Sequence, residues 1–230
     1  MYAFLTSSLF LCVVVSLAAY AIGVYLHNKL ENDLVNPLLI AIALVLVFLL
    51  VTGLPYKDYM KGSSYISFLL TPATICLAVP LYEQMKLLTR NFTAIIGGIT
   101  TGMVAGLITV FLFAKLFHFD HASYVTLLPK SITTAIGMGV SEELGGYVSI
   151  TVVAIIATGV VGNIFAEQIC RLFHITDPVA KGIACGSAAH AMGTSKAMEM
   201  GAVEGAMSSL AMVAAGIMTV AGASLFAVLI

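Results

Sequence analysis

The chain has 230 residues, of which 60% are hydrophobic and only 9% charged, with ten Lys+Arg against eleven Asp+Glu, and its mean hydropathy is +1.07. Soluble domains carry roughly a quarter charged residues to clothe a wetted surface, so this composition excludes that class and leaves lipid to cover most of the molecule. The near-zero net charge and the lack of any basic run exclude nucleic acid as a partner.

Crossing roughly 30 Å of hydrocarbon takes about 20 apolar residues of helix. Ala3–Leu26 is the first such stretch. No Lys or Arg precedes it, so despite the cleavage-like Ala19-Tyr20-Ala21 it reads as a retained span and not a signal peptide. Pro37–Leu54 is the second clean span, and Phe92–Leu116, Tyr147–Cys170 and Val203–Ile230 follow. Small-xxx-small pairs such as Gly98/Gly102 and Gly201/Gly205 let such helices pack closely in lipid.

Between these spans lie segments apolar enough to enter the membrane but broken by Pro, Gly and hydroxyl residues. Ser63–Glu83 carries Pro72 and Pro80; Ser123–Gly146 carries Pro129 and Lys130; Gly182–Gly201 carries Ser187, His190, Gly193, Thr194 and Lys196. Irregular backbone at membrane depth survives only where protein buries it or water reaches it, so these are read as discontinuous or re-entrant helices. A shift of about sixty residues superposes Thr74, Thr134 and Thr194, and likewise Gly102, Gly162 and Gly222. The expected fold is all-α: a polytopic membrane helix bundle, one transmembrane domain over residues 1–230. It has about five full spans and three broken segments, with 1–54 as two spans and 63–118, 123–173 and 182–230 as candidate repeat units. If each broken segment enters and leaves on one side, each unit crosses once and successive units are inverted. Lys57, Lys61, Lys86, Arg90, Arg171 and Lys181 then share one face, with the N-terminus in the cytoplasm by the positive-inside rule.

The chemistry concentrates in the broken segments. In Leu128-Pro129-Lys130-Ser131-Ile132-Thr133-Thr134 a lysine sits deep in apolar sequence, where insertion costs about 2.5–3.5 kcal/mol. Either it snorkels to the interface, or it joins the hydroxyls of Ser131, Thr133 and Thr134 at a half-helix N-terminus to hold an anion. Gly186–Lys196 repeats the combination: Ser187, His190, Gly193, Thr194 and Lys196 are the second half of the candidate substrate site. His190 is either a satisfied core histidine or a proton carrier. Pro72, Thr74, Pro80 and Tyr82 read as scaffold, and Glu204 as an ion-pair partner for Lys196 or a proton site. The cysteines lack paired spacing and the methionines read as packing, so no metal or cofactor is expected. No enzyme motif is present.

The same residues carry a resemblance. Asn36–Leu39 (NPLL), Pro72–Tyr82 (PATICLAVPLY), Leu127–Met138 (LLPKSITTAIGM), Asp177–Gly182 (DPVAKG) and Gly186–Ala211 (GSAAHAMGTSKAMEMGAVEGAMSSLA) resemble the bacterial LrgB/CidB family from about residue 36 to the C-terminus. Ala135 departs from it, standing where the family often has proline. The resemblance implies a multi-pass inner-membrane protein of two described kinds. One is an antiholin-like regulator of murein hydrolase export and autolysis, acting with a small holin-like LrgA/CidA partner. The other is a carrier of small carboxylates such as pyruvate, acetate, glycolate or glycerate. Inward lysines favour a monocarboxylate transporter, expected to be homo-oligomeric.

Overall fold

A computed structural model describes residues 9–30, 37–69, 72, 75, 76, 78–83 and 85–230. Every regular element among them is a helix, as hydrocarbon demands: without water a backbone must bond to itself, and a helix does so within one segment. The chain parts into two compact units, Met1–Cys76 and Leu77–Ile230.

The first unit holds α1 (Leu9–Leu30), α2 (Pro37–Thr52) and α3 (Tyr56–Phe68). Gly23 brings α1 against α2, since a Cβ there would run into the Pro37 carbonyl. The Ser16 hydroxyl lies 2.6 Å from the Tyr59 phenol, beside a small core of Cys12, Leu54 and Tyr59.

The second unit holds α4 (Ala78–Glu83), α5 (Met85–Arg90), α6 (Phe92–Leu116), α7 (His121–Leu127), α8 (Thr134–Glu143), α9 (Val148–Leu172), α10 (Pro178–Met200) and α11 (Ala202–Ala227). Among the described residues, four helices are long and apolar enough to cross a membrane: Phe10–Leu30, Phe92–Leu116, Val148–Leu172 and Ala202–Ala227. This is a multi-pass membrane architecture. The remaining expected span, Pro37–Leu54, forms a helix of 16 residues, about 24 Å long by the rise per residue.

Both downstream broken segments are hairpins. In α10 the helix is interrupted at Ala189 (φ −131°, ψ 19°) and His190 (φ 44°, ψ −134°). A Cβ at Gly193 would collide with the carbonyl of Cys185; in an unbroken helix those residues stand about 12 Å apart, so the two halves fold back on each other. Gly182 abuts Glu204 and Met207, Gly186 abuts Ser208, and Met198 returns to Gly205. Both ends of this hairpin therefore lie at the start of α11. The other hairpin is α7, a turn through Pro129, and α8. Thr126 and Ser141, on its two arms, are joined through Thr151 near the start of α9, whose Oγ1 lies 2.9 Å from the Thr126 carbonyl and 2.7 Å from Ser141 Oγ. The two hairpins thus enter α9 from its opposite ends.

Each hairpin is fed by the same turn. α6 and α9 have 25 residues each and end alike, with His118 (φ 53°) and His174 (φ 54°) left-handed. The Phe119 amide then bonds the Ala114 carbonyl at 2.9 Å, and the Ile175 amide the Cys170 carbonyl at 2.8 Å, the pattern that closes a helix end when the next residue is left-handed. Phe92–Leu116 and Val148–Leu172 are thus displaced by 56 residues, not by the roughly sixty of the Thr134/Thr194 and Gly102/Gly162 matches.

The hairpin closure gives a direct test. Gly193→Ala forces a methyl into the Cys185 carbonyl, whereas a Cβ at Gly97 meets open space. Overpacking costs about 1–3 kcal/mol, so Gly193→Ala lowers the thermal unfolding midpoint of detergent-purified protein by several degrees. Gly97→Ala leaves it unchanged or raises it.

Candidate functional site

The tips of the two hairpins meet beside the middle of α9. Ala189 packs on Gly162 and the His190 ring on Gly159, where a Cβ would lie 2.6 Å from Cε1 and 2.8 Å from Nε2. On the other hairpin, Gly137 packs against Ile155 and against Pro129. These contacts fall between residues 155 and 162 of α9, about 10–21 Å from its start, and so straddle the middle of the span.

The α7–α8 tip is set by an apolar frame. Tyr124, Val125, Leu128 and Ile132 bury themselves among Leu107, Val110, Ala114, Ala223 and Ala227, and Pro129 cannot extend the helix above it. Thr133 is extended (φ −63°, ψ 146°) and α8 starts at Thr134. The amides of the first turn of a helix have no partner within it, and they carry the positive end of its dipole. Lys130 stands at this same tip, half-buried.

Lys130, Ser131, Thr158 and Ser187 share a cavity of about 660 Å³ whose walls are opened by Gly102, Gly106 and Gly162. The Lys130 ammonium donates to Ser131 Oγ at 3.1 Å, and among the described residues it makes no ion pair. A narrow extension leads inward past Leu128 to Thr219. The 56-residue displacement relates these positions in pairs: Ser131 to Ser187, Gly102 to Thr158, Gly106 to Gly162. Lys130 has no such counterpart, since the residue 56 positions on is Gly186.

Sequence reasoning placed Lys130, Ser131 and Ser187 together, and the structure does so. Other expected site residues go elsewhere. Thr133 and Thr134 form the start of α8 without lining the cavity. His190 Nε2 lies 3.0 Å from the Ile155 carbonyl; a carbonyl only accepts, so Nε2 donates and the ring staples the break in α10 to α9. Thr194 is fully buried, donates to the His190 carbonyl at 2.9 Å and lies 2.9 Å from Ser208 Oγ. Gly193 serves the close approach to Cys185. Lys196 sits at the open end of the hairpin, 3.2 Å from Glu199 and 3.6 Å from Glu167. Glu204 occupies the first turn of α11, its carboxylate over Gly201, where the helix dipole favours an acid.

Pro72 and Tyr82 are exposed, Pro80 falls within α4, and Thr74 lies outside the described residues. Thr158, Thr219 and the glycine walls escaped sequence reasoning, and the 56-residue register would have revealed the pairing of Gly102 with Thr158.

The profile of the LrgB-like family matches residues 16–229. The holin-like protein CidB of Staphylococcus epidermidis is 39% identical over 203 residues, 88% of this chain and 89% of its own. The holin-like protein CidB of Staphylococcus aureus matches with the same identity and coverage. No solved structure matches the chain. The chain belongs to the LrgB-like family.

An ammonium with no carboxylate partner among the described residues leaves a signature in stability. Lys130→Met removes a half-buried charge and leaves only the Ser131 hydroxyl, which can turn to another acceptor or to water, so it raises the unfolding midpoint in detergent free of added carboxylate. Thr194→Val breaks the tie to His190 and Ser208 and costs about 1 kcal/mol. A drop for Lys130→Met as large as that for Thr194→Val would show that Lys130 is structural.

Proposed function

We propose that this member of the LrgB-like family is a secondary transporter of small monocarboxylate anions of the pyruvate, glycolate and acetate class. One observation carries the reading: a lysine without a carboxylate partner among the described residues stands at mid-span depth, at a helix break, over a cavity walled by hydroxyls and glycines. A charge that costs energy to insert is retained there for its use. A carboxylate in the cavity would accept from the Lys130 ammonium and from the Ser131 and Ser187 hydroxyls.

The architecture supports the reading. The hairpins are re-entrant segments; each, with the span that follows, forms a unit that crosses once, and the two units are inverted about the cavity. Inverted repeats with broken helices at the midplane suit alternating access around a fixed site. Arg171 and Lys181 fall at one end of the unit and Lys115 at the other. The positive-inside rule makes the first end cytoplasmic in a bacterial inner membrane. A homo-oligomer, and association with a small LrgA/CidA-type membrane protein, complete the proposed assembly.

The second reading is antiholin-like control of murein hydrolase export and autolysis, favoured by the holin-like naming of the staphylococcal relatives. It gives the central cavity no task. Uptake of labelled pyruvate, glycolate and acetate into proteoliposomes separates the two. Wild-type protein takes up at least one of these acids faster than empty vesicles, and Lys130→Ala lowers that uptake by about tenfold or more, the loss of one charge-assisted bond of about 1.5–3 kcal/mol. Uptake no faster than in empty vesicles for all three acids, or full activity in Lys130→Ala, overturns the transport reading.

A further inference from the structure

The second lysine of the sequence pattern, Lys196, lies outside the central cavity yet in a defined setting. It lines a cavity of about 500 Å³ at the open end of the α10 hairpin, with Glu167, Cys170, Arg171, Lys181 and Glu199. Glu167 is five residues along α9 from Gly162, which lines the central cavity, a distance of about 8 Å by helical rise. The two cavities thus flank neighbouring turns of α9, on faces about 140° apart by helical rotation, and the returning half of α10 lies along α9 at the end cavity.

Three polar ties hold α10 to α9 at successive depths. At the tip His190 Nε2 lies 3.0 Å from the Ile155 carbonyl, and below it Asn163 Nδ2 donates to the Met192 carbonyl at 2.8 Å. At the mouth Lys196 meets Glu167 at 3.6 Å. The mouth tie differs in kind. Its side chains are 19% and 31% exposed, so water already touches both charges. Each partner also keeps a companion on its own helix, Glu167 with Arg171 at 2.6 Å and Lys196 with Glu199 at 3.2 Å. Separating α9 from this half of α10 at its mouth therefore leaves neither charge bare, whereas breaking either deeper tie exposes a carbonyl in the interior. The pair is built to open.

We infer that the Glu167–Lys196 pair is a gate: it holds the returning half of α10 on α9 at the mouth and must part before a small anion can move inward from the end cavity. Both are positioning residues, and the role in passage rests on the transport reading; the closure itself does not.

The chain carries its own reporter. Cys170 lines the end cavity and is 4% exposed. With Cys12, Cys76 and Cys185 replaced by alanine, the rate at which a small charged methanethiosulfonate modifies Cys170 in proteoliposomes reads the state of the mouth. The parent reacts slowly. Glu167→Gln and Lys196→Gln each accelerate labelling up to about fivefold, the range of a water-exposed pair, and the double variant is no faster than either. Glu199→Gln, which removes only the pair within α10, and Glu167→Asp, which keeps the charge, stay near the parent rate. Labelling of both single variants at the parent rate overturns the proposal, as does a double variant whose acceleration is the product of the singles, or an equal acceleration by Glu199→Gln. Labelling does not depend on uptake, so a silent transport assay with the expected labelling pattern would fell the transport reading while leaving the gate.

Discussion

A helix that stops in hydrocarbon leaves amides and carbonyls facing a solvent that cannot bond them, each at a cost of several kcal/mol. This chain stops two helices at that depth, and most of the second unit exists to make the stops tolerable. On one hairpin Thr151 ties the arms beside the break, bonding the Thr126 carbonyl near the end of α7 and Ser141 on α8, while the Thr126 hydroxyl takes the Tyr147 amide ahead of α9 at 2.7 Å. On the other, the His190 carbonyl takes the Thr194 hydroxyl, and the His190 ring and Asn163 reach across to backbone carbonyls of the opposing helices. Glycine completes the arrangement, because such short bonds need backbones in contact. At Gly162, Gly186 and Gly193 even one methyl would collide with a neighbour.

That constraint explains what could and could not be read from residues alone. Breaks were legible, because Pro129 and the Gly186–Gly193 cluster have no reason to sit in an apolar run otherwise. Lys130 and Ser131 were legible as a pair, since a charge in such a run demands either a partner or a task. The hydroxyls were not separable by type. Thr194 and Ser187 look alike in sequence, yet Thr194 is turned into the contact with Ser208 while Ser187, seven residues earlier, faces the cavity. Satisfying the broken backbone and holding a ligand call for the same donors, so composition cannot tell the two uses apart.

Register failed for a related reason. A displacement of 60 residues differs from the 56 shared by α6 and α9 by four, close to the 3.6 residues of one helical turn. Small residues on one helix face recur at that interval, so Gly102 matches Gly162 as readily as Gly106 does. Only the ends of the spans distinguish the registers, through the left-handed His118 and His174. Lys196 was drawn into the site by composition: Gly186–Lys196 combines a lysine with hydroxyls and glycine, as the Lys130 cluster combines a lysine with hydroxyls.

The corrected placement sharpens what a ligand must be. With Lys196 removed to the mouth, Lys130 is the one full charge lining the central cavity among the described residues, and the rest of the wall is hydroxyl, glycine and alkyl. One cation beside a half-helix N-terminus balances one carboxylate. A dicarboxylate would bring a second charge into the same low-dielectric space without a partner, and an uncompensated charge there costs more than the hydroxyls return. Under the transport reading, selection among small acids follows from counting charges at mid-span depth, and the shape of a cavity this open does little of it.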